Sequence, residues 1–425
     1  MSKQITTIII GLGGRGKDTY AQYIKNNSDK MKIVAVADLE PDKVETVAKA
    51  FNIPKEMCFE SADAILKEDK LADTALICTQ DRDHVDHALK ALEKGYHLLL
   101  EKPISPDLEE CKQLLEAATK HNKHVIVCHV LRYTPFYEKI KELITEDKIG
   151  EVVTIQAIEN VAYWHQAHSF VRGNWRRSDE TSPMILQKCC HDMDILLWLA
   201  DKRCKKVTSF GDTYLFKEEK APKGAAKRCM DGCKYQGECL YDAEKMYIDS
   251  KRTGVKHGNK GWPVNIVALE PTVESVTEAL KEGPYGRCVY HCDNDVVDHQ
   301  VVNMELEDGV TINFTMSAFT DRCYRHLKIM GTKGSIEGHM DKNVVVYEPF
   351  GGEKVEFDIT KLGESLAGHG GGDDRMMDRF IELMQNPDSE GSMMTAVERS
   401  IESHIVALLA EESRLNGGKC LEVKA

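Results

Sequence analysis

The chain of 425 residues opens with the stretch Ile5-Thr6-Thr7-Ile8-Ile9-Ile10-Gly11-Leu12-Gly13-Gly14-Arg15-Gly16, which decides the fold of its first part. Its β-branched run is typical of a central parallel strand buried on both faces. A helical pattern from about residue 17 to 25 follows the glycines, whose Gly-x-Gly-x-x-Gly spacing lets the backbone approach a pyrophosphate at a helix N-terminus. We therefore predict a dinucleotide site formed by Gly11, Leu12, Gly13, Gly14, Arg15 and Gly16.

The preference between the two nicotinamide dinucleotides depends on Asp38, which ends the second predicted strand. A carboxylate at this place accepts hydrogen bonds from the ribose hydroxyls and repels a 2′-phosphate, so NAD is favoured over NADP. The alternative role for Asp38 is to cap the helix that starts near Pro41.

Strands and helices alternate up to about residue 130, which predicts a doubly wound parallel sheet. The predicted strands are 5–10, 32–37, 73–78, 97–100 and 124–130, and the helices between them are 41–51, 83–94 and 108–121. Lys102, in Glu101-Lys102-Pro103, directly follows the strand 97–100. Open α/β sheets bind ligands along the edge where such strands end, so this lysine is a candidate for the active site.

Beyond residue 131 the predicted strands follow one another with turns between them, which indicates a second domain with a mainly antiparallel sheet. These strands are 152–159, 207–215, 296–305, 310–317, 325–330 and 344–347, with helices at 135–145, 184–200 and 395–416. We predict an α/β protein in two parts: an NAD-binding domain at 1–130, and an α+β domain at 131–425 for substrate binding and oligomerisation. A polar, Cys-rich insertion at about 216–285 fits neither pattern.

Composition excludes several classes of partner. The net charge is −13, from 69 acidic against 56 basic residues, which disfavours nucleic acid and anionic membranes as partners. The apolar runs are too short to span a bilayer, and the N-terminal run leads into the glycine loop, unlike a signal peptide. Fourteen cysteines without an export signal should be mostly reduced, so we expect a cytoplasmic protein.

Three cysteines are clustered in the insertion, at Cys229, Cys233 and Cys239, and Cys288 and Cys292 follow downstream. Clustered thiols in a reducing compartment suggest a metal, most simply a structural zinc ion completed by a fourth Cys or a His. We take Cys288 as that fourth ligand. An iron–sulfur cluster and buried free thiols are the alternatives.

The segment 163–176 mixes aromatic rings with hydrogen-bonding groups, a combination that suits sugars. Aromatic faces cover the C–H patches of a sugar, whereas polar groups bind its hydroxyls. We predict that His165, His168 and Arg172 bind substrate. Asp298, which enters a predicted strand, is a further candidate whose alternative is an ordinary polar strand start.

The chain resembles the Gfo/Idh/MocA oxidoreductases over essentially its whole length. The resemblance rests on the glycine loop, Thr79 with His84, the segments 101–103 and 132–135, Gly173-Asn174-Trp175-Arg176, His191-x-x-Asp194 and Gly331-Thr332-x-Gly334. It implies a Rossmann domain followed by an open-sheet domain, and a homo-oligomer, a dimer or tetramer, formed through that sheet. It also implies that Thr79, Glu101, Lys102, Trp175 and Arg176 surround the cofactor, with Lys102 touching the substrate hydroxyl.

The predicted catalytic helix departs from the commonest family pattern. Many relatives carry an aspartate where this chain has Gln187, followed here by the extra cation Lys188, while His191 matches. His191, with a pKa near neutrality, suits the base that takes the hydroxyl proton, and Lys102 would offset the charge that develops on oxygen. We predict Lys102 and His191 as catalytic residues, with Lys188 third. Gln187 and Asp194 are predicted to bind substrate, Asp194 also orienting the His191 ring.

The predicted function is oxidation of a secondary hydroxyl of a sugar or glycoside by NAD, similar to the glycoside 3-dehydrogenase branch of the family. A redox-neutral glycosidase would oxidise, eliminate, hydrate and reduce with nearly the same residues. Inositol dehydrogenase, a non-catalytic NAD sensor and a metal-dependent lyase that uses His165 and His168 are the remaining alternatives.

Overall fold

The computed structural model describes residues 4–362, 366–386 and 394–424, and in these ranges the chain forms two sheets. The first sheet has six strands in the order β3-β2-β1-β4-β5-β6, and all of its strand pairs are parallel. Its strands are β1 (Ile5–Ile10), β2 (Met31–Ala37), β3 (Cys58–Phe59), β4 (Thr74–Ile77), β5 (His97–Leu100) and β6 (Val125–Val127). The predicted parallel sheet is confirmed. Strand β3 was not predicted, because two residues carry no periodicity.

Helices cover both faces of this sheet, as the doubly wound pattern requires. A π-helix follows the glycine loop and continues as an α-helix, so the predicted helix after β1 is confirmed in place. The helices are Gly14–Ala21 (π), Gln22–Asn26, Pro41–Phe51, Ala62–Lys67, His84–Glu93 and Leu108–His121, with a 3-10 turn at Lys55–Met57.

The second sheet has nine strands in the order β14-β13-β12-β11-β7-β10-β9-β8-β15. Only β10 and β7 pair in parallel, so the predicted mainly antiparallel sheet is confirmed. Its strands are β7 (Val152–Asn160), β8 (Cys204–Asp212), β9 (His299–Leu306), β10 (Thr311–Ser317), β11 (Tyr324–Gly331), β12 (Gly334–His339), β13 (Val344–Pro349), β14 (Val355–Asp358) and β15 (Leu421–Glu422). Burial alternates along β9, β10 and β11, with one face packed in the core and the other face open.

Three long helices of the second part, Pro135–Thr145, Cys190–Ala200 and Val397–Leu415, contribute to one large apolar cluster on the inner face of this sheet. The other long helices are Val273–Glu282, which belongs to the insertion, and Gly372–Gln385. Shorter turns are Val130–Tyr133, Tyr163–His165, Gln166–Arg172, Asn174–Arg176, Met184–Gln187, Glu218–Lys220, Lys245–Asp249, Val255–His257, Val264–Val267, Pro284–Gly286, Glu307–Gly309, Met340–Lys342, Ile359–Lys361 and Ala367–Gly370. In the described residues no helix is both long and apolar enough to cross a membrane.

The predicted continuous helix 184–200 is wrong in one respect that matters for the site. It is interrupted between Gln187 and Cys190, because Cys189 adopts a ψ of 6° instead of a helical value. The break turns the Gln187 carbonyl toward β5, where it accepts a hydrogen bond from Lys102. Periodicity could not reveal this, since the apolar spacing continues across the break.

The C-terminal segment returns to the first sheet. The helix Gly372–Gln385 was not predicted; its Met376 and Phe380 belong to the same buried cluster as Ile9 and Tyr20. The backbone N–H of Val127, in β6, also donates to the Thr395 carbonyl at 2.9 Å. The two sheets are therefore joined by more than the single crossing of the chain near residue 130.

The insertion forms a compact unit with its own apolar cluster, which includes Phe216, Tyr247 and Leu280. It also reaches the nucleotide loop, since Asn265 Nδ2 donates to the Asp18 carboxylate at 3.1 Å. The insertion thus extends from the second sheet to the helix that follows the glycines.

Candidate functional site

The glycine loop has the shape that a dinucleotide needs. Gly11 has a φ of +92°, and a Cβ there would lie 2.4 Å from the Cys78 carbonyl oxygen. At Gly16 a Cβ would lie 2.0 Å from the Gly11 carbonyl oxygen, whereas at Gly13 and Gly14 it would meet nothing within 4 Å. The outer two glycines therefore allow close backbone packing, and Gly13 leaves the loop surface open to a ligand.

Asp38 lies beside this loop. Its Oδ2 accepts from the backbone N–H of Leu12 at 2.5 Å, and its Oδ1 accepts from the N–H of Glu40 at 2.9 Å. The loop with its open surface and a carboxylate at the end of β2 fit the pyrophosphate and ribose of NAD. The capping alternative is not formed, because the helix Pro41–Phe51 has Glu40 as its N-cap without a side-chain cap hydrogen bond among the described residues; the second Asp38 contact holds the turn before that helix.

Arg15 and Glu101 form an ion pair at the floor of the site. Arg15 Nε donates to Glu101 at 2.6 Å, its Nη2 donates to Asp373 at 2.7 Å, and Tyr20 donates to the same Glu101 oxygen. Burial opposes ionisation of Glu101, but the Arg15 and Lys102 charges bring its pKa below the ordinary value. Glu101 is thus held as an anion next to Lys102.

Lys102 extends from the carboxyl end of β5 toward the second part of the chain, where its Nζ donates to the Gln187 carbonyl at 2.9 Å. The loop that carries Lys102 is fixed by His84, whose Nδ1 lies 2.7 Å from the Pro103 carbonyl oxygen and whose Nε2 lies 3.0 Å from that of Thr79. Thr79 in turn contacts His87 through its hydroxyl. These contacts place the Lys102 amine at the junction of the two sheets.

His191 lies at the start of the helix Cys190–Ala200 and is buried, and its Nδ1 has no hydrogen-bond partner among the described residues. Burial and the nearby Lys102 charge hold the pKa of His191 well below its ordinary value. The ring is therefore neutral near pH 7, and a neutral imidazole can accept a proton. The predicted contact with Asp194 is not formed, because Arg132 binds that carboxylate at 2.7 and 2.6 Å.

A second histidine, which the sequence reasoning missed, faces His191. The His369 ring lies 5.9 Å from the His191 ring, centroid to centroid, and its Nδ1 contacts Asp373 Oδ2 at 2.9 Å. Burial opposes ionisation of the Asp373 carboxyl group. The neighbouring Arg15 and His369 nevertheless keep the pKa of Asp373 below its ordinary value. The run Gly368-His369-Gly370-Gly371-Gly372-Asp373 was the available signal, since glycines with a His and an Asp four residues apart are unusual in a plain linker.

Lys188 is held by a buried network of charges. Its Nζ lies 3.1 Å from Glu159, which Arg325 also contacts at 3.0 Å, and Arg325 binds Asp192 at 2.8 Å. Burial disfavours the cation, but the Glu159 charge raises the pKa of Lys188 above its ordinary value. Lys188 is therefore a fixed cation and not a base.

His165 and several aromatic rings form one wall near these groups. The His165 ring lies 4.8 Å from Trp262 and 5.8 Å from Phe170, and Trp164 lies 5.1 Å from Trp262. Burial together with the charges of Lys188 and Lys102 lowers the pKa of His165 well below its ordinary value. Trp262 comes from the insertion, far along the chain from the segment 163–176, so the composition of that segment could not reveal it.

Other predicted substrate residues are engaged in structural contacts. His168 stacks on Tyr285 at 4.7 Å, and Arg172 donates to the carbonyls of Tyr241 and Arg287, all within the insertion or its margin. Asp298 is fully buried and accepts from the N–H groups of Tyr214 and Leu215, as its alternative role requires. Gln187 is buried, with its carbonyl bound to Lys102.

The two cofactor residues predicted from the second part of the chain differ in their surroundings. Trp175 packs against Phe170, and its Nε1 is buried without a partner among the described residues. Arg176 instead pairs with Asp293 at 2.8 Å and with Glu180 at 3.1 Å. Trp175 thus has a donor free for a ligand, whereas Arg176 holds neighbouring loops together.

Comparison with known proteins identifies the family. Residues 5–129 match the oxidoreductase family GFO_IDH_MocA, NAD-binding Rossmann fold, and residues 141–418 match its C-terminal alpha/beta domain. The putative oxidoreductase YteT of Bacillus subtilis (strain 168) is 22% identical over 87% of each chain. An inositol 2-dehydrogenase of Corynebacterium glutamicum (strain R) is 28% identical, over 49% of this chain and 57% of its own length.

A solved structure shows the same fold over the whole molecule. The WlbA dehydrogenase of Chromobacterium violaceum, in complex with NADH and UDP-GlcNAcA, has a TM-score of 0.68 at 14% identity. The match covers 100% of this chain and 97% of that one. At this identity the similarity concerns the fold alone.

Proposed function

Because the chain belongs to the Gfo/Idh/MocA family of NAD-binding oxidoreductases, we propose that it oxidises a secondary hydroxyl of a sugar or glycoside. The observation that carries this proposal is the position of Lys102. Its amine lies at the carboxyl edge of the parallel sheet, bound to the Gln187 carbonyl, with His191 and His369 nearby. An amine cation and a neutral imidazole are the two groups that removal of a hydroxyl proton needs.

When bound, NAD accepts the hydride, and the protein's own groups handle the proton. Lys102 donates a hydrogen bond to the hydroxyl oxygen and stabilises the negative charge that develops there. His191, kept neutral by its surroundings, accepts the hydroxyl proton. Its low pKa makes it a weak resting base, so proton removal depends on the Lys102 cation lowering the pKa of the hydroxyl.

His369 provides the route by which the proton leaves. Its side chain is 42% exposed, and Asp373 stabilises the imidazolium that forms, as a carboxylate does in a catalytic triad. Because the two rings lie 5.9 Å apart, centroid to centroid, we expect the proton to leave the buried His191 toward His369, which has access to water. The fixed cation Lys188 adds positive potential on the side of His165.

The aromatic rings around His165 support a sugar as the class of substrate. Trp164 and Trp262 offer aromatic faces for the C–H surface of a sugar, and the Trp164 and Trp175 indole N–H groups are buried without partners among the described residues. An inositol presents the same kind of surface, so inositols belong in the substrate panel. The setting we propose is the cytoplasm.

A redox-neutral glycosidase is the second candidate, and the number of imidazoles favours keeping it. Simple hydride transfer needs one base, whereas oxidation followed by elimination needs a further acid or base for the adjacent C–H proton. His165 and His369 are available for that step beside His191. The two functions differ in whether NADH accumulates.

The deciding experiment incubates the full chain and NAD with a panel of glycosides, free sugars and inositols. NADH absorbance and aglycone release are followed together. Net NADH without release supports the dehydrogenase, and release without net NADH supports the glycosidase. Neither signal with any member of the panel would contradict the sugar proposal.

Lys102→Met tests the role of the lysine. We expect turnover to fall by about 10²–10⁴-fold, because the group that stabilises the alkoxide is gone. NAD binding, followed by fluorescence, should change little. The matched control is Lys112→Met, on an exposed part of the helix Leu108–His121, which should keep wild-type activity. Undiminished turnover in Lys102→Met would refute the role assignment.

We also propose a homo-oligomer, a dimer or tetramer, formed through the open face of the nine-stranded sheet. Its support is the alternation of burial along β9, β10 and β11, which leaves one face of these strands partly exposed in the described part of the chain.

A further inference from the structure

Four cysteines line one small cavity inside the insertion. Cys229, Cys233 and Cys239 come from one loop, and Cys288 comes from a segment about fifty residues later. The cavity has a volume of about 20 Å³, which is room for one or two atoms or waters. The rest of its lining is mainly apolar, and its one carboxylate, Asp242, is already bound to the backbone N–H groups of Gly237 and Glu244. Cys292, the other downstream candidate, is not part of this lining.

Backbone contacts bring the two segments together, independently of anything the thiols bind. The N–H of Cys229 donates to the Gly286 carbonyl at 3.0 Å, and the N–H of Cys288 donates to the Lys227 carbonyl at 2.9 Å. These bonds flank an antiparallel bridge between Arg228 and Arg287. The first and last of the four cysteines are thus held side by side by a short piece of sheet.

A buried cation next to the cavity points to a negative group inside it. Arg172 is 1% exposed and donates to the carbonyls of Tyr241 and Arg287, to the Met246 sulfur and to the Cys229 sulfur at 3.6 Å, and the Tyr247 hydroxyl also lies beside it. None of these is a carboxylate. A buried guanidinium is costly without a counter-charge, and among these partners only the Cys229 thiol and the Tyr247 hydroxyl can become anions, of which the thiol is the more acidic.

We propose that Cys229, Cys233, Cys239 and Cys288 bind a structural zinc ion as thiolates. Four thiolates and Zn²⁺ carry a net charge of −2, which supplies the counter-charge that Arg172 lacks. Four protein ligands leave no open coordination position, so the ion would stabilise the insertion and take no part in catalysis. This proposal stands apart from the hydroxyl dehydrogenase activity, since the same site would serve an insertion of any function.

Zinc binding requires the thiol side chains to move inward. In the described residues, the only group of three or more metal-binding donors lying within 4.8 Å of one another is His326, Glu337 and His339, on the open sheet face. The sulfurs of a zinc tetrathiolate lie about 3.8 Å apart, given Zn–S bonds of about 2.3 Å. Because the four thiols line the same cavity, the proposal requires their side chains to rotate toward its centre.

The test measures metal in the full chain, purified without a polyhistidine tag or chelator. We expect about one zinc per chain by elemental analysis and no acid-labile sulfide. Titration of the thiols with a mercurial should release that zinc, as detected by a coloured metal indicator. Substitution by Co²⁺ should give the visible absorption bands of tetrahedral thiolate coordination. This wild-type measurement needs no variant to fold.

Variants then locate the ion. Cys233→Ser with Cys239→Ser should lose nearly all the zinc, whereas Cys420→Ser, at an exposed cysteine near the C-terminus, should keep it. NAD binding by the double variant reports whether the first domain is still folded. Wild-type protein without zinc, zinc retained in the double variant, disulfides among these four cysteines, or iron with sulfide in place of zinc would each overturn the proposal.

Discussion

Asp38 carries the cofactor preference at the level of a single side chain. Its substitution by Ala removes the carboxylate that would bind the ribose and repel a 2′-phosphate. We expect NAD to bind about 10–100-fold more weakly, as for the loss of a charge-assisted hydrogen bond, and discrimination against NADP to fall. Measured affinities for both dinucleotides check this, with Asp42→Ala, on the exposed start of the next helix, as control. Unchanged discrimination would leave Asp38 only with its contact to the Glu40 N–H, in the turn before the helix Pro41–Phe51.

His404 makes stability depend on pH. Its Nε2 accepts from the Ile104 N–H at 2.8 Å and its Nδ1 contacts the Ser400 carbonyl, so only the neutral ring satisfies both contacts. Burial and neighbouring His129 lower its pKa to about 3. The unfolded chain, with a His pKa of about 6.5, therefore binds the proton first as pH falls. The contribution of neutral His404 to the stability of the folded chain is fully present above about pH 6.5 and is lost progressively as the pH falls below that value.

The measurement for His404 is urea unfolding at pH 7 and pH 5. Between pH 7 and pH 5 we expect His404 to cost the wild type about 2 kcal/mol of unfolding free energy. This corresponds to about 1.4 kcal/mol for each pH unit below 6.5. His404→Gln should show a pH dependence smaller by that amount, while His121→Gln should keep the wild-type slope. Equal slopes in all three proteins would show that His404 is not kept neutral.

Within one element, the glycine loop, two substitutions should fail in different ways. Gly16→Ala places a Cβ 2.0 Å from the Gly11 carbonyl oxygen, so we expect a loss of about 1–3 kcal/mol of unfolding free energy. Gly13→Ala meets nothing within 4 Å and should fold normally. Its methyl group would nonetheless stand where the pyrophosphate approaches, so we expect NAD binding to weaken at least about tenfold.

Thermal unfolding and NAD titration of the two variants give the comparison. The loop assignment predicts opposite patterns, with a lower melting temperature for Gly16→Ala and weaker NAD binding at an unchanged melting temperature for Gly13→Ala. If Gly13→Ala binds NAD as the wild type does, the pyrophosphate does not cross this glycine.

Elements with a strong local pattern could be predicted, and those defined by contacts could not. The strand Ile5–Ile10 and its loop were readable because β-branched residues and spaced glycines specify both shape and function. The helix break at Cys189 goes with a bond from Lys102, 85 residues away in the chain, to the Gln187 carbonyl. The helix Gly372–Gln385, whose Asp373 joins the site, gains its place from the core of the other sheet.

Within the site, too, residues in a local sequence pattern were predicted, and residues placed only by tertiary contacts were missed. Lys102 and His191 belong to the motifs Glu101-Lys102-Pro103 and His191-x-x-Asp194. Trp262 lies in a stretch with no pattern of its own, and the glycine-rich run around His369 does not say what that histidine faces; only the folded chain brings Trp262 to His165 and His369 to His191. Arg172 and His168 stand in a segment of the expected composition, yet the insertion uses them for its own packing.

At the scale of the whole molecule, the insertion completes the site from outside both sheets. Trp262→Ala removes the ring that packs on His165 and Trp164. If the proposed sugar site is right, KM for the sugar should rise about tenfold with little change in kcat, as for the loss of one aromatic contact. Trp262→Phe keeps an aromatic face and should stay near wild type. An unchanged KM in Trp262→Ala would place the sugar elsewhere.

The return of the C-terminal segment to the first sheet bears on how this chain can be cut or recombined. A fragment that stops near residue 130 would expose the surface that Met376 and Phe380 cover, and would lack the Asp373 partner of Arg15. We expect such a fragment to aggregate on expression, although it holds every glycine of the loop. The cofactor-binding domain therefore cannot be moved into another protein on its own. Chimaeras between relatives should exchange residues 4–130 together with 366–386.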